Sequence, residues 1–322
     1  MRPARAMQHS EPRRRLRVLV HHSRCGTPAA PAVEAASTAA AAAAAAAAAF
    51  VPAPLLAGGI TIPLFQPASA LLDGARICEP EVYNHRDVQP HRPGGRISTV
   101  VNVHNPTIEA HILPQGGTGA AVIVVPGGGH NVLVINSEGA ACVSFFANYG
   151  MSVIILRERL RVDGYNMTTD AMNDTFQALR LVRAHAAEWG LDTNRIGIMG
   201  FSAGAELAAG AAVEYTAFEA KHHNEPGGGG EVLAGISARP DFVSLVYPGP
   251  SPFQSPELRL LAGGASRLNG GGATVDEIPP PPPPIPADVP PSFITTPVDG
   301  ARCHSIWATE YFTAMLHANV PK

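Results

Sequence analysis

The stretch Arg195-Ile196-Gly197-Ile198-Met199-Gly200-Phe201-Ser202-Ala203-Gly204 decides the fold. Its first half is a short apolar run of the kind that forms a buried strand. Its second half is a G-x-S-x-G pentapeptide, and an alanine-rich segment follows at once. A strand that turns within a few residues into a helix is the context this pentapeptide requires. The reason for the glycines is steric. The turn is so tight that the serine takes a strained backbone conformation, and residues two positions away must lack bulk. The Ser202 hydroxyl is thereby lifted clear of the sheet. The helix that begins there directs unpaired N–H groups and its positive dipole end toward it.

Four more runs flank this one: Ala121–Val125, Val153–Leu156, Phe242–Tyr247 and the weaker Ser292–Thr296. Continuous apolar strands fit a sheet covered on both faces. Between the second and third runs, Met172, Phe176, Leu179, Val182 and Ala186 fall on one face of a helix expected over Thr168–Trp189, with Gly190 as its stop. A second helix is expected from Ser202 through Ala211. Alternating strands and helices predict an α/β fold with a doubly wound, mostly parallel sheet, whose ligands sit beyond the carboxyl ends of the strands.

Pro126-Gly127-Gly128-Gly129-His130 follows the first strong strand directly. Glycines here let backbone N–H groups approach a developing oxyanion without an intervening side chain. Gly128 and Gly129, with Ala203, are the natural donors. A dinucleotide-binding loop is excluded, because no G-x-G-x-x-G occurs and no acid ends a second strand about 20 residues on.

Composition narrows the function class. Gly (32) and Pro (31) make up about a fifth of 322 residues, and charged residues only 15%. A coiled coil and a collagen are ruled out, and a highly charged disordered chain is disfavoured. A net charge of −3 supplies no field for nucleic acid. Cys25, Cys78, Cys142 and Cys303 stand singly, without a CxxC pair, so no zinc knuckle is expected.

Residues 1–33 contain Glu11 as their one acid and several arginines, and Ala39–Ala49 follow. The arginines read as an organelle transit leader, and the later Ala68-Ser69-Ala70 as a secretory cleavage site. A low-complexity extension without an address is the third reading. Pro52, Pro54 and Pro63 argue against a spanning helix. Two domains are therefore expected: an extension over 1–85 that adds little to a packed core, and an α/β domain over 86–322. Two segments read as surface loops: His222 to Pro226 with the four glycines after it, and the stretch from Gly263 to the prolines at 279–284.

From about Val100 onward the chain resembles the α/β-hydrolase esterases, in particular the acetyl esterase and acetylxylan esterase-like group related to feruloyl esterases. The residues that carry the resemblance are Val125–Gly129, Glu138-Gly139, Arg180–Arg183, Trp189–Asp192, Arg195–Gly204 and Pro240–Phe242. The resemblance implies hydrolysis of small acyl esters, often on plant cell-wall sugars, without a cofactor or metal. It also implies the chain order Ser, acid, His for a catalytic triad. Ser202 is then the nucleophile and Asp299, after the last strand, the acid, although Gly300 stands where the group often has a second acid. Asp241 precedes its strand and reads as structural.

No histidine falls where the resemblance asks for one. His304–Asn319 reads as the last helix, with Ile306, Tyr311 and Met315 on its inner face. The final strand and histidine loop are expected to be missing, a C-terminally truncated hydrolase. His304 lies too near Asp299, His317 at the far helix end, and His130 borders the glycine run as a weak candidate base. An alternative expectation is a catalytically impaired pseudo-hydrolase or binding module.

Overall fold

The computed structural model describes residues 49–86, 96–113, 117–250, 285–297 and 302–318. Nine strands occur among them. They are β1 (Ile60–Pro63), β2 (Val82–Arg86), β3 (Arg96–Val101), β4 (Thr107–His111), β5 (Ala121–Val125), β6 (Ser152–Arg157), β7 (Ile196–Phe201), β8 (Val243–Val246) and β9 (Ser292–Thr295). Seven of them form one sheet in the order β1-β4-β6-β5-β7-β8-β9. β6, β5, β7, β8 and β9 run parallel, while β4 is antiparallel to both β1 and β6. β2 and β3 make a separate antiparallel ribbon. All five strands expected from the apolar runs are present.

Among the described residues the longer α-helices are α1 (Ala141–Ala147), α2 (Met172–Ala184), α3 (Ala203–His222) and α4 (Arg302–His317). The predicted stripe Met172, Phe176, Leu179, Val182 and Ala186 is buried throughout. The helix itself ends earlier than expected, at Ala184, and a further turn, Ala186–Trp189, stops at Gly190 in the left-handed region. α3 is longer than expected and buried from Ala203 to Val213. Its small residues allow that: a Cβ on Gly204 would overlap the Val125 carbonyl, so the helix lies directly on β5. In α4, Tyr311 and Met315 face inward as expected, but Ile306 is exposed, and Trp307 and Ala308 are buried instead. Among the described residues no helix is long and apolar enough to cross a membrane.

The expected boundary at residue 85 is corrected. The segment from Phe50 to Arg86 is built into the domain. β1 pairs with β4, and Leu64 and Phe65 are fully buried in the main core. The Leu55 N–H donates to Glu109 Oε1 at 2.8 Å, and Arg157 donates to Glu109 at 2.7 Å and to Glu81 at 2.8 Å. Burial opposes the charge on Glu109. The bonds from His111, Leu55 and Arg157 outweigh it and hold the carboxyl below its usual range. A buried charge is tolerated only when paired and hydrogen-bonded in this way. Residues 1–48 lie outside the described residues.

The segment 226–230 is a loop as expected, and buried side chains anchor it. Gln177 and Arg180 are fully buried. Gln177 donates to the Pro226 carbonyl at 2.9 Å. Arg180 donates to the carbonyls of His222 (3.0 Å), His223 (2.7 Å), Leu233 (2.5 Å) and Ile236 (3.1 Å). Gln66 reaches the Gly227 and Gly228 carbonyls at 2.8 and 3.0 Å. The second expected loop, residues 263–284, lies outside the described residues.

Candidate active site

Strand register brings three loops together at the carboxyl edge. Val125 pairs with Gly200, and Phe201 pairs with Val246. The glycine run after β5, the elbow after β7 and the Tyr247–Gly249 turn after β8 therefore emerge side by side. Ser202 lies in the middle.

Ser202 has φ 50° and ψ −114°, a conformation L-residues rarely adopt. Neighbours over-determine it. Its N–H donates to the Val246 carbonyl at 2.9 Å, and its carbonyl accepts from Ala205 (3.0 Å) and Gly249 (3.1 Å). A Cβ on Gly200 would overlap the Gly204 carbonyl, which is the steric requirement read from the pentapeptide.

The glycine run packs on this elbow. A Cβ on Gly127 would meet the Phe201 carbonyl at 2.5 Å and Ser202 Cβ at 3.0 Å. Gly128 and Gly129 both have positive φ, 133° and 63°. Arg161 donates to the Gly129 carbonyl at 2.9 Å, and the Val134 N–H donates to the Gly127 carbonyl at 2.9 Å. His130 is also left-handed, at φ 58°, and only 2% exposed. Its Nε2 lies 3.2 Å from Glu206 Oε2, one turn into α3 from Ser202.

The structure thus gathers Ser202, Ala203, Gly128, Gly129 and His130 at one edge. Asp299 lies outside the described residues. His317 is exposed in the last turn of α4. His304 does something the sequence did not suggest. Its Nδ1 donates to the Pro248 carbonyl at 2.8 Å, and its ring meets those of Tyr247 (6.2 Å) and Trp307 (5.6 Å) edge-on. It therefore borders the turn that binds the Ser202 carbonyl. Asp241 is structural as expected, accepting from the Ile196 N–H at 2.9 Å and Arg183 at 3.0 Å.

Two acids at this edge carried no role in the sequence reading. Glu138, in the wide helical turn Asn136–Ala140, accepts from the Gly127 N–H and the Tyr247 hydroxyl. Glu158, next after β6, is 1% exposed, and its Oε2 has no hydrogen-bond partner among the described residues. Burial pushes its carboxyl well above the usual range.

A family model, BD-FAE, matches residues 112–231. Acetylxylan esterase of Xylanibacter ruminicola is 34% identical over 97 residues, 30% of this chain and 20% of that protein. Endo-1,4-beta-xylanase B of Butyrivibrio fibrisolvens is 31% identical over 128 residues, 39% of this chain and 19% of that protein. The chain spans about a fifth of the length of these relatives. Among solved structures, an acetyl ester-xyloside bifunctional hydrolase from Caldicellulosiruptor lactoaceticus aligns with a TM-score of 0.56 at 22% identity. That alignment covers 82% of this chain and 83% of the other. The carboxylesterase Cest-2923 from Lactobacillus plantarum aligns at 0.50 and 20% identity, over 68% and 76%. The fold is that of an α/β-hydrolase, and the chain resembles the acetyl esterase and acetylxylan esterase-like group.

Proposed function

We propose that this protein is a serine hydrolase of small acyl esters, acetyl esters of carbohydrates among them. Ser202 is the nucleophile, and the backbone N–H groups of Gly128, Gly129 and Ala203 form the oxyanion hole. The observation that carries this reading is the strained left-handed backbone of Ser202 between β7 and α3, with the glycine run packed against it. Strain at one residue, over-determined by its neighbours, is a mark of a functional position. Serine attacks an acyl carbon only when a base takes its proton. His130 and His304 border the two loops beside the elbow, and Asp299 is the proposed orienting acid. The acetylxylan esterase similarity supports a carbohydrate ester as substrate.

A second reading is a non-catalytic binding module. One observation favours it: among the described residues no histidine hydrogen-bonds the Ser202 hydroxyl, and His130 Nε2 is taken by Glu206. A fluorophosphonate probe separates the two. Labelling of Ser202, with turnover of p-nitrophenyl acetate lost in Ser202→Ala, is the expected result. The residual rate should be about 10³–10⁴-fold over water, from the oxyanion hole and binding alone. A parent that neither labels nor turns over ester would establish the binding module. Parallel His130→Gln and His304→Gln variants identify the base, because only its loss abolishes labelling.

A further inference from the structure

We propose that Glu138 is a positioning residue for the oxyanion loop, acting through a clamp that spans the nucleophile elbow. This rests on the hydrolase reading above. The Gly127 N–H, on the loop after β5, donates to Glu138 Oε2 at 2.7 Å. The Tyr247 hydroxyl, on the turn after β8, donates to Glu138 Oε1 at 2.9 Å. β7, which carries Ser202, lies between β5 and β8 in the sheet. One carboxylate therefore joins the two loops that flank the serine.

Three features make this more than a cap on a stray amide. Gly127 is pressed against Phe201 and Ser202, so any turn of its peptide moves the next N–H groups relative to the serine. Tyr247 is itself held at φ 38°, a left-handed conformation that an aromatic residue keeps only under constraint. Burial, and then the Glu138 charge, push the Tyr247 hydroxyl up, which keeps it protonated as a donor across the working pH range. Hydrogen bonds to a carboxylate are roughly twice as strong as neutral ones. The Gly127 N–H is thus occupied by the clamp, leaving Gly128 and Gly129 to face an oxyanion. A donor displaced from its place removes transition-state binding and leaves ground-state binding little changed.

The test has two independent arms. In the first, kcat and KM for p-nitrophenyl acetate and the rate of fluorophosphonate labelling are measured for Glu138→Ala, Glu138→Gln and Tyr247→Phe, with thermal melting as the fold control. Glu138→Ala should lower kcat and labelling by about 10²-fold with KM within about threefold. Glu138→Gln, which keeps one acceptor for Gly127, should recover a good part of that loss. Tyr247→Phe should lose less than Glu138→Ala. In the second arm, amide hydrogen exchange over residues 126–131 is followed by mass spectrometry. It should accelerate about tenfold or more in Glu138→Ala and less in Glu138→Gln. Kinetics within about twofold of the parent in folded Glu138→Ala and Tyr247→Phe, or unchanged exchange in Glu138→Ala, would overturn the clamp. If the parent does not react with the probe, the hydrolase reading falls, and exchange alone decides whether Glu138 fixes the loop.

Discussion

Two glycine runs, Gly127–Gly129 and Gly227–Gly230, look alike in the sequence and do opposite things in the fold. At the first, glycine makes room for backbone to pass beside Ser202. The chain passes so close to Ser202 that a methyl group would collide, and two of its residues take positive φ. At the second, glycine makes room for the fold's own packing. A Cβ on Gly228 would overlap the Pro63 carbonyl, and buried Gln177 and Arg180 hold the neighbouring carbonyls. What separates the runs is what lies opposite them: Ser202 in one case, β1 and a buried cation in the other. A glycine run is therefore a statement about available space, and its role is set by the partner that fills that space.

The two runs should differ most at Gly127. Gly127→Ala should lower ester turnover by about 10² to 10³-fold, the size expected when an oxyanion donor is displaced. Steady-state kinetics beside a melting curve check this, since the loss of turnover should persist in the folded fraction even where overpacking against Phe201 lowers stability. At the second run the sign of the dissociation reverses. Arg180→Ala should destabilise by about 3 kcal/mol or more, because the buried Leu233 carbonyl and three part-buried carbonyls lose their donor, at up to about 1–3 kcal/mol each. Denaturant unfolding measures this, while kcat of the folded fraction stays near the parent's. Gly228→Ala should destabilise by about 1–3 kcal/mol through overpacking against Pro63, again with kcat retained. A catalytic defect in Gly228→Ala without loss of stability would erase the distinction between the runs.

The smallest effect concerns His222, where α3 enters the second run. Burial lowers the pKa of its ring below 6.5, with Lys221 and Arg180 adding to that and Glu225 opposing it. The folded form then binds fewer protons than the unfolded chain as pH falls past 6.5. Stability from this group is complete above that pH and is lost as pH falls through the folded value. Melting of the parent relative to His222→Gln should therefore worsen from about pH 7.5 to about pH 5.5.

The parallel half of the sheet was legible because its strands are continuous apolar runs, and the elbow because its glycines obey a local steric rule. The antiparallel flank was not. β4 reads Thr-Ile-Glu-Ala-His, yet all five residues are buried. Glu109 and His111 enter the core because Arg157, 48 residues from Glu109, neutralises one carboxylate oxygen and His111 binds the other. Hydropathy patterning cannot anticipate a partner so far along the chain, so β1 and the segment to Arg86 passed for low complexity. The same limit hid the His130–Glu206 pair, 76 residues apart, and the reach of His304 to Pro248. Glu138 had a weak signal in its neighbour Gly139, which marks a tight approach to Ile155 and Ile135 but does not reveal what the carboxylate holds.

The left-handed backbone of Ser202 has a consequence for how such a chain changes over generations. A non-glycine residue in that region carries strain of about 1–3 kcal/mol, set against a total stability of only about 5–15 kcal/mol for a typical domain. Glycine at position 202 would relax the turn and remove the hydroxyl in one step. On the proposed hydrolase reading, the sequence that melts highest is thus not the sequence that reacts, and random drift toward stability runs through Ser202 itself. A serine can hold such a site only while selection for its hydroxyl acts against the thermodynamic gradient.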